Sequence, residues 1–320
     1  MFVPLVCLLP QTTMPAAGEI RIGIIGADTS HAPAFAKLIN DPAAQGHVGG
    51  GRVTTVFKAF SPDMPLSAGR VDGFMRQLLA MPGVTAADSI EQLAQNVDAI
   101  MILSADGRAH PGLARRVIPF RKPIFIDKPL ATTYRDAREI FRFAEQHGTP
   151  VFSTSSLRYA LAQPALEKAA KTKMGALKGV FVWGPATVEP NHPDLFWYGI
   201  HSVESLYAVM GAGCVSVQRT HTPDADIITG IWPGERVGTI RAMRDTKSYY
   251  GLTLFGANAA HTEGSASGYA PLAKEIITFF QTGKSPVASA ETLEIMAFME
   301  AAELGKTRNG ASVPLAEIIK

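Results

Sequence analysis

Two residues of this chain stand where proton chemistry could be done. Lys128 follows an apolar run in Phe125-Ile126-Asp127-Lys128-Pro129-Leu130. A lysine held just past a buried strand is partly desolvated, which lowers its pKa and suits it to proton transfer or to holding a hydroxyl oxygen. The alternative is a solvated lysine in a strand-to-helix loop. His201 lies in Trp197-Tyr198-Gly199-Ile200-His201-Ser202-Val203-Glu204. On a helix, Trp197, His201 and Glu204 share a face. An imidazole exchanges protons near neutral pH, although a lone helical histidine is more often packed or solvated. His201 and Glu204 could also begin a metal site, but no third ligand is evident in the sequence and no metal is expected.

A third motif is a glycine turn, Gly23-Ile24-Ile25-Gly26-Ala27-Asp28-Thr29-Ser30-His31. A dinucleotide fold needs glycines between its first strand and first helix, so that the backbone turns tightly and meets the pyrophosphate at a helix N-terminus. Counted from Gly26, the second glycine position holds Asp28 and the third holds His31; Thr29 and Ser30 are helix-capping candidates. Asp28 puts a carboxylate near the phosphates unless its side chain turns away or caps the helix. An ordinary capped turn is the other reading. A ribose-binding acid is expected at the end of the second strand, yet no acidic residue lies between Asp41 and Asp63. Lys58 and Ser61 stand there instead, which suits a 2′-phosphate, or leaves Lys58 as a solvated charge. NADP is therefore weakly favoured over NAD.

The elements that must position these residues alternate. Ile20–Ala27, Arg52–Phe60, Val84–Ala87, Asp98–Ser104, Pro123–Asp127 and Pro150–Thr154 read as strands. Helices are expected at His31–Asn40, Phe74–Ala80, from a capping box at Ser89–Gln92, at Ala109–Ile118 and at Thr133–Gln146. Six strands alternating with helices imply a doubly wound parallel sheet, with its ligand outside the carboxyl ends of the strands. That edge carries Asp28, Ser61, Ser104 and Asp127. Beyond about residue 155 the pattern changes. Helices at Leu161–Lys171 and Leu195–Met210, and strands at Gly179–Trp183, Ser216–Thr222, Ile227–Trp232, Val237–Met243 and Tyr249–Phe255, imply an α+β domain with a largely antiparallel sheet; helices at Pro271–Thr282 and Thr292–Lys306 follow. The expected organisation is an N-terminal extension, 1–18, a dinucleotide-binding domain, 19–154, and a substrate-binding and oligomerisation domain, 155–320.

With 320 residues, 47% of them apolar and 18% charged, the chain can bury two cores without staples. Thirty basic against 28 acidic residues, a net charge of +2, argue against nucleic acid or a membrane as partner. Cys7 and Cys214 form no metal or redox spacing. The apolar run Phe2–Leu9 is interrupted by Pro4, no basic residue precedes it, and it is too short to span a bilayer. A cytoplasmic protein is expected, with export possible if that run is a remnant signal.

In order and spacing these motifs resemble the Gfo/Idh/MocA oxidoreductases over roughly residues 19–320. The residues that carry the resemblance are Gly23 and Gly26, Asp127-Lys128-Pro129 where the family has Glu-Lys-Pro, His201, and the tail from Phe279 to Met296. The resemblance implies a nicotinamide cofactor in the first domain, a sugar, polyol or sugar-acid substrate against the second, and a homodimer or homotetramer formed through the second sheet. It implies that Lys128 orients the substrate hydroxyl and His201 exchanges its proton. The chain departs from the pattern where an Asp often precedes the histidine by four residues. Trp197 stands there, an aromatic platform for a sugar ring beside Tyr198, and Glu204 becomes the nearest candidate to orient His201. Arg158 could pair a substrate carboxylate or pack the domain junction. Two further readings are a glycosidase that uses bound NAD transiently, and a binding or regulatory protein that has lost the redox site.

Overall fold

The computed structural model describes residues 18–246, 249–264 and 268–319. The apolar run Phe2–Leu9 and Cys7 lie outside them. The first half of the chain runs β1 (Ile20–Ile25), α1 (His31–Asn40), β2 (Gly51–Phe57), α2 (Pro65–Leu79), β3 (Thr85–Ala86), α3 (Ile90–Asn96), β4 (Ala99–Ile102), α4 (His110–Val117), β5 (Ile124–Ile126), α5 (Tyr134–His147) and β6 (Val151–Ser153). The six strands are parallel in the order β3-β2-β1-β4-β5-β6. Their apolar runs are covered on both faces, as a parallel sheet requires: Ile22, Ile24, Ile100, Met101, Ile102, Phe125 and Ile126 are fully buried. Ser89 caps α3 by accepting from the Gln92 N–H, and Thr133 caps α5 by accepting from the Asp136 N–H. Helix α2 is twice the expected length. It starts at Pro65, and Gly69 and Gly73 dilute the apolar period of its first turns.

A π-helical turn at Arg158–Ala162 leads into α6 (Gln163–Ala170). Then come β7 (Leu177–Pro185), a second π-helical turn (Leu195–Gly199), α7 (Ile200–Met210), β8 (Ser216–His221), β9 (Ala225–Trp232), β10 (Arg236–Met243), β11 (Gly251–Gly256) and β12 (Ala260–Gly264). Helices α8 (Ala270–Thr282) and α9 (Ser289–Thr307) and the short β13 (Val313–Pro314) close the chain. The second sheet is ordered β12-β11-β7-β10-β9-β8-β13. It is antiparallel except where β10 runs parallel to β7 at its centre. Sequence reading missed β12 and β13. Ala260-His261-Thr262-Glu263-Gly264 has no apolar alternation, and β13 is only two residues long.

The two sheets divide between β6 and β7, but the chain does not stay on one side. Helix α8 returns to the first sheet, where Ile276, Ile277, Phe279 and Phe280 share a core with Phe35, Val53, Phe125 and Phe152. The second half of the sequence thus completes the first domain's hydrophobic cover, and the cleft between the domains is bounded by chain crossings.

Two glycines of the first unit do different work. Gly23 lies inside β1, where a Cβ would stand 2.4 Å from Leu93 Cδ2; it lets α3 close on the strand and is not part of the turn toward a ligand. Gly26 is in the turn, with φ of +99°, and a Cβ there would stand 2.4 Å from the Ser104 backbone nitrogen. Gly26→Ala therefore combines backbone strain with a clash against main chain, and is expected to lower unfolding free energy by about 1–3 kcal/mol. Urea denaturation measures this, and an unchanged midpoint contradicts the packing described here.

Candidate functional site

A cleft of about 460 Å³ opens where the carboxyl edge of the first sheet meets α7. Its walls bring together Thr29, Ser30 and His31 from the β1–α1 turn, Asp127 and Lys128 from the end of β5, and Trp197, Tyr198 and His201 from the second domain. Residues far apart in sequence thus converge as the parallel-sheet rule requires.

The buried carboxylate of Asp127 organises one wall. Its Oδ2 lies 2.6 Å from His31 Nδ1, and its Oδ1 accepts the Lys128 backbone N–H at 2.9 Å. Burial alone would raise this carboxyl, but the charge and hydrogen bond of His31, with Lys128 behind them, hold it at about 2. Lys128 Nζ stands 5.8 Å from the ring centroids of both Trp197 and Tyr198, within reach of a cation–π attraction. Burial lowers the Lys128 pKa, partly offset by Asp127. Trp197 and Tyr198 therefore give the lysine an aromatic wall.

His201 is 8% exposed, and its Nδ1 lies 2.6 Å from Ser155 Oγ. Burial, reinforced by Lys128 and His31, pushes its pKa well below the ordinary value, so the ring is neutral and able to accept a proton. Glu204 does not orient it, contrary to expectation. That carboxylate is 2% exposed, accepts from Thr154 Oγ1 at 2.8 Å and from Arg158 Nε at 2.9 Å, and faces away into the domain junction. Arg158 also pairs with Glu291 at 2.7 Å. Both of its partners belong to the protein, so Arg158 packs the junction and is not free for a substrate carboxylate. Sharing a helical face with His201 misled for Glu204. Ser155, one residue past Thr154, is the partner that sequence reasoning missed, because no motif marks it.

The glycine-turn departures also resolve. Asp28 is fully buried: Ser67 Oγ donates to it at 2.6 Å and the Ala105 N–H at 2.9 Å. Burial raises its pKa against those hydrogen bonds. Its carboxylate does not cap α1, whose first N–H, that of His31, donates to Thr29 Oγ1 at 3.3 Å while Ser30 makes no cap bond. The close Gly26–Ser104 approach and the inward Asp28 keep side chains off the β1–α1 turn, where a pyrophosphate would lie. Thr29 and Ser30 line it, Ser104 is buried behind it, and Arg70 of α2 adds a cation at the rim.

At the ribose end the two candidates differ. Ser61 is buried, and its backbone N–H donates to Ser67 Oγ at 2.8 Å. Lys58 stays exposed but pairs with Asp72 of α2 at 2.7 Å. His192, also unforeseen, is buried 5.1 Å from the Trp197 ring with Nε2 3.2 Å from Asp106 Oδ1, tying the second domain to the first beside the cleft. Tyr249, Tyr250 and Tyr269 complete an aromatic lining. Among the described residues no three His, Cys, Asp or Glu side chains converge to hold a metal, and no helix is long and apolar enough to cross a membrane.

Residues 20–155 match the model of the Gfo/Idh/MocA oxidoreductase family with its NAD-binding Rossmann fold. Among solved structures, the chain is similar to myo-inositol dehydrogenase from Lactobacillus casei in complex with NAD(H) and myo-inositol, at 16% identity and a TM-score of 0.72, covering 92% of this chain and 96% of that one. It is also similar to myo-inositol 2-dehydrogenase from Lactobacillus plantarum, at 13% identity and a TM-score of 0.75, covering 92% and 99%. A third likeness is to apo scyllo-inositol dehydrogenase from Lactobacillus casei, at 11% identity and a TM-score of 0.74, covering 93% and 98%. At these identities the likeness is one of fold across both domains. No curated protein sequence matches the chain.

The buried, neutral His201 has a consequence for stability. Its folded pKa lies below the 6.5 of the unfolded chain, so below that pH the unfolded state binds a proton that the native state refuses. Stability is then lost as pH falls through 6.5, by up to about 1.4 kcal/mol per pH unit from this group. His201→Gln should flatten that slope in urea titrations between pH 5 and 7. An identical slope in wild type and variant contradicts the buried neutral state.

Proposed function

With its first domain that of a Gfo/Idh/MocA oxidoreductase, we propose that this chain moves a hydride between a nicotinamide dinucleotide and a hydroxyl-bearing carbon of a sugar-like polyol. The observation that carries the reading is the convergence of Lys128 and His201, from different domains, on one aromatic-lined cleft at the carboxyl edge of the parallel sheet.

The cofactor would be held by the Gly26–His31 turn at the α1 N-terminus, with Arg70 at the rim, and would supply the hydride acceptor or donor. The protein's own part is to handle the proton. An alcohol becomes a carbonyl only if its hydroxyl proton leaves, and the group that takes it must come within about 3 Å of that oxygen. His201, kept neutral by burial and steadied by Ser155, accepts this proton. Lys128 donates a hydrogen bond to the same oxygen and stabilises the charge that grows there. Trp197, Tyr198 and Tyr250 offer ring faces to the C–H face of a cyclic polyol and exclude water. The inositol dehydrogenase structures of the same fold support a cyclic polyol as the substrate class.

NAD and NADP are both accommodated in this reading. Lys58 favours a 2′-phosphate, while its partner Asp72 opposes one and can accept from a ribose hydroxyl. We assign the open face of the second sheet, where Ile231, Val237 and Phe255 are exposed, to pairing with a second copy.

The test is turnover of a polyol panel with each cofactor, starting from myo-inositol. His201→Ala should cut kcat by roughly 10²–10⁴-fold with little change in NADH affinity, since the residue comes from the other domain. Lys128→Met should damage both kcat and polyol affinity. A folded His201→Ala variant with near-normal turnover on the best substrate overturns the assignment.

A further inference from the structure

The second domain holds an ionic cluster that the mechanism above does not use and whose members do not line the cleft. Its centre is Arg219 of β8, which is fully buried. Arg219 Nη2 donates to Asp194 Oδ2 at 2.6 Å and to Asp226 Oδ2 at 2.9 Å, and Nη1 donates to Glu303 Oε1 at 2.7 Å. Lys306 of α9 places a second cation on Asp194 Oδ2, also at 2.6 Å. Arg244, just past β10, donates to Asp226 and to the Ala186 carbonyl. Among the described residues the cluster sets Arg219, Arg244 and Lys306 against Asp194, Asp226 and Glu303.

One member is joined to the cleft directly along the chain. Asp194 is the residue at which the π-helical turn Leu195–Gly199 begins. Such turns are rare and recur at functional sites. This one carries Trp197 and Tyr198, whose ring centroids each stand 5.8 Å from Lys128 Nζ. The first N–H groups of a helical turn need acceptors. Here Leu195 N–H finds Glu303 Oε1 at 3.2 Å, while the Asp194 side chain makes no cap bond and goes to Arg219 and Lys306 instead. Carboxylate and backbone at the start of the turn are therefore held by the same cluster. Burial alone would raise the Asp194 carboxyl, but hydrogen bonds from Lys306 and Arg219 hold it below its usual range, so the clasp is ionic at neutral pH. The first domain grips the same segment by another route: the His192 ring lies 5.1 Å from that of Trp197, with Nε2 3.2 Å from Asp106 Oδ1.

We propose that Asp194 is a positioning residue: clasped by Arg219 and Lys306, it fixes the turn that sets Trp197 and Tyr198 at their distance from Lys128. The inference rests on the oxidoreductase reading only for its ligands; the placement of the wall is a property of the chain itself. In that reading the wall binds, while His201 and Lys128 handle the proton. A loosened wall therefore costs ligand affinity and spares the chemical step.

The experiment uses the full chain with 5-fluorotryptophan at its three tryptophans, read by fluorine NMR, with the Trp197 line assigned through Trp197→Phe. Trp232, buried at the opposite end of β9 from Asp226, is the internal control. Asp194→Asn keeps the size and removes the charge. Arg219 retains two carboxylates and Lys306 is 34% exposed, so the variant should fold. It should displace or broaden the Trp197 line and leave the Trp232 line in place. Lys306→Met removes one of the two cations on Asp194 and should move the Trp197 line in the same direction by less. With NADH or NADPH, whichever supports turnover, Asp194→Asn should raise KM for myo-inositol about tenfold with kcat nearly unchanged, the pattern of lost binding contacts. An unmoved Trp197 line in folded Asp194→Asn overturns the proposal, as does equal movement of Trp197 and Trp232, or a fall in kcat at constant KM. If Asp194→Asn does not fold, an unmoved Trp197 line in Lys306→Met overturns it. If the wild type turns over no polyol with either cofactor, the oxidoreductase reading fails, and the fluorine lines alone decide whether Asp194 holds the wall.

Discussion

The cleft depends on one buried negative charge. The Asp127 carboxylate at the end of β5 cannot be left unpaired away from water, and the chain surrounds it with His31 from the first turn and the backbone of Lys128. That pairing fixes the β1–α1 turn against the end of β5 and keeps a cation in the cleft wall despite burial. The neighbouring Asp28 does similar work one layer down, joining the turn to α2 through Ser67 and to the β4 end through Ala105. Both acids, which look hostile to a phosphate ligand in sequence, hold the loops of the sheet edge together.

The second domain is set against this edge by ionic contacts that stay out of the cleft. Arg158 joins Glu204 of α7 to Glu291 of α9, and Thr154, at the end of the first sheet, donates to the same Glu204. Ser155 next to it contacts His201. One short segment after β6 thus sets both the position of α7 and the ring it carries. Removing one partner of such a buried cluster leaves an uncompensated charge, which is costly; the arrangement makes the placement of His201 a property of the domain junction. The return of α8 to the first sheet adds a covalent crossing to the same junction.

Much of this was legible in the chain. The alternation of apolar runs with helical periods identified the six-stranded parallel sheet, and with it the edge where Asp127 and Lys128 had to lie. His201 and Trp197 were singled out because 195–210 reads as one helix, which puts both on a face with Glu204. What was not legible depends on contacts between segments far apart in sequence. Ser155 and His192 carry no motif, and Glu204 shares a helical face with His201 yet is captured by an arginine 46 residues away. Gly23 looked like part of the ligand turn, but its missing side chain makes room for Leu93. Local pattern gave the elements, while buried polar pairing decided which side chains remained available to a ligand.

The central claim is that a nicotinamide ring docks beside Trp197, Lys128 and His201. Of the three tryptophans, Trp232 is buried in the second core and only Trp197 lines the cleft. The most direct measurement is therefore energy transfer from tryptophan to bound NADH, compared between wild type and Trp197→Phe. The account predicts sensitised nicotinamide emission in the wild type that falls steeply in the variant while NADH remains bound. Sensitised emission of equal strength in both proteins, or bound NADH with none in either, contradicts it.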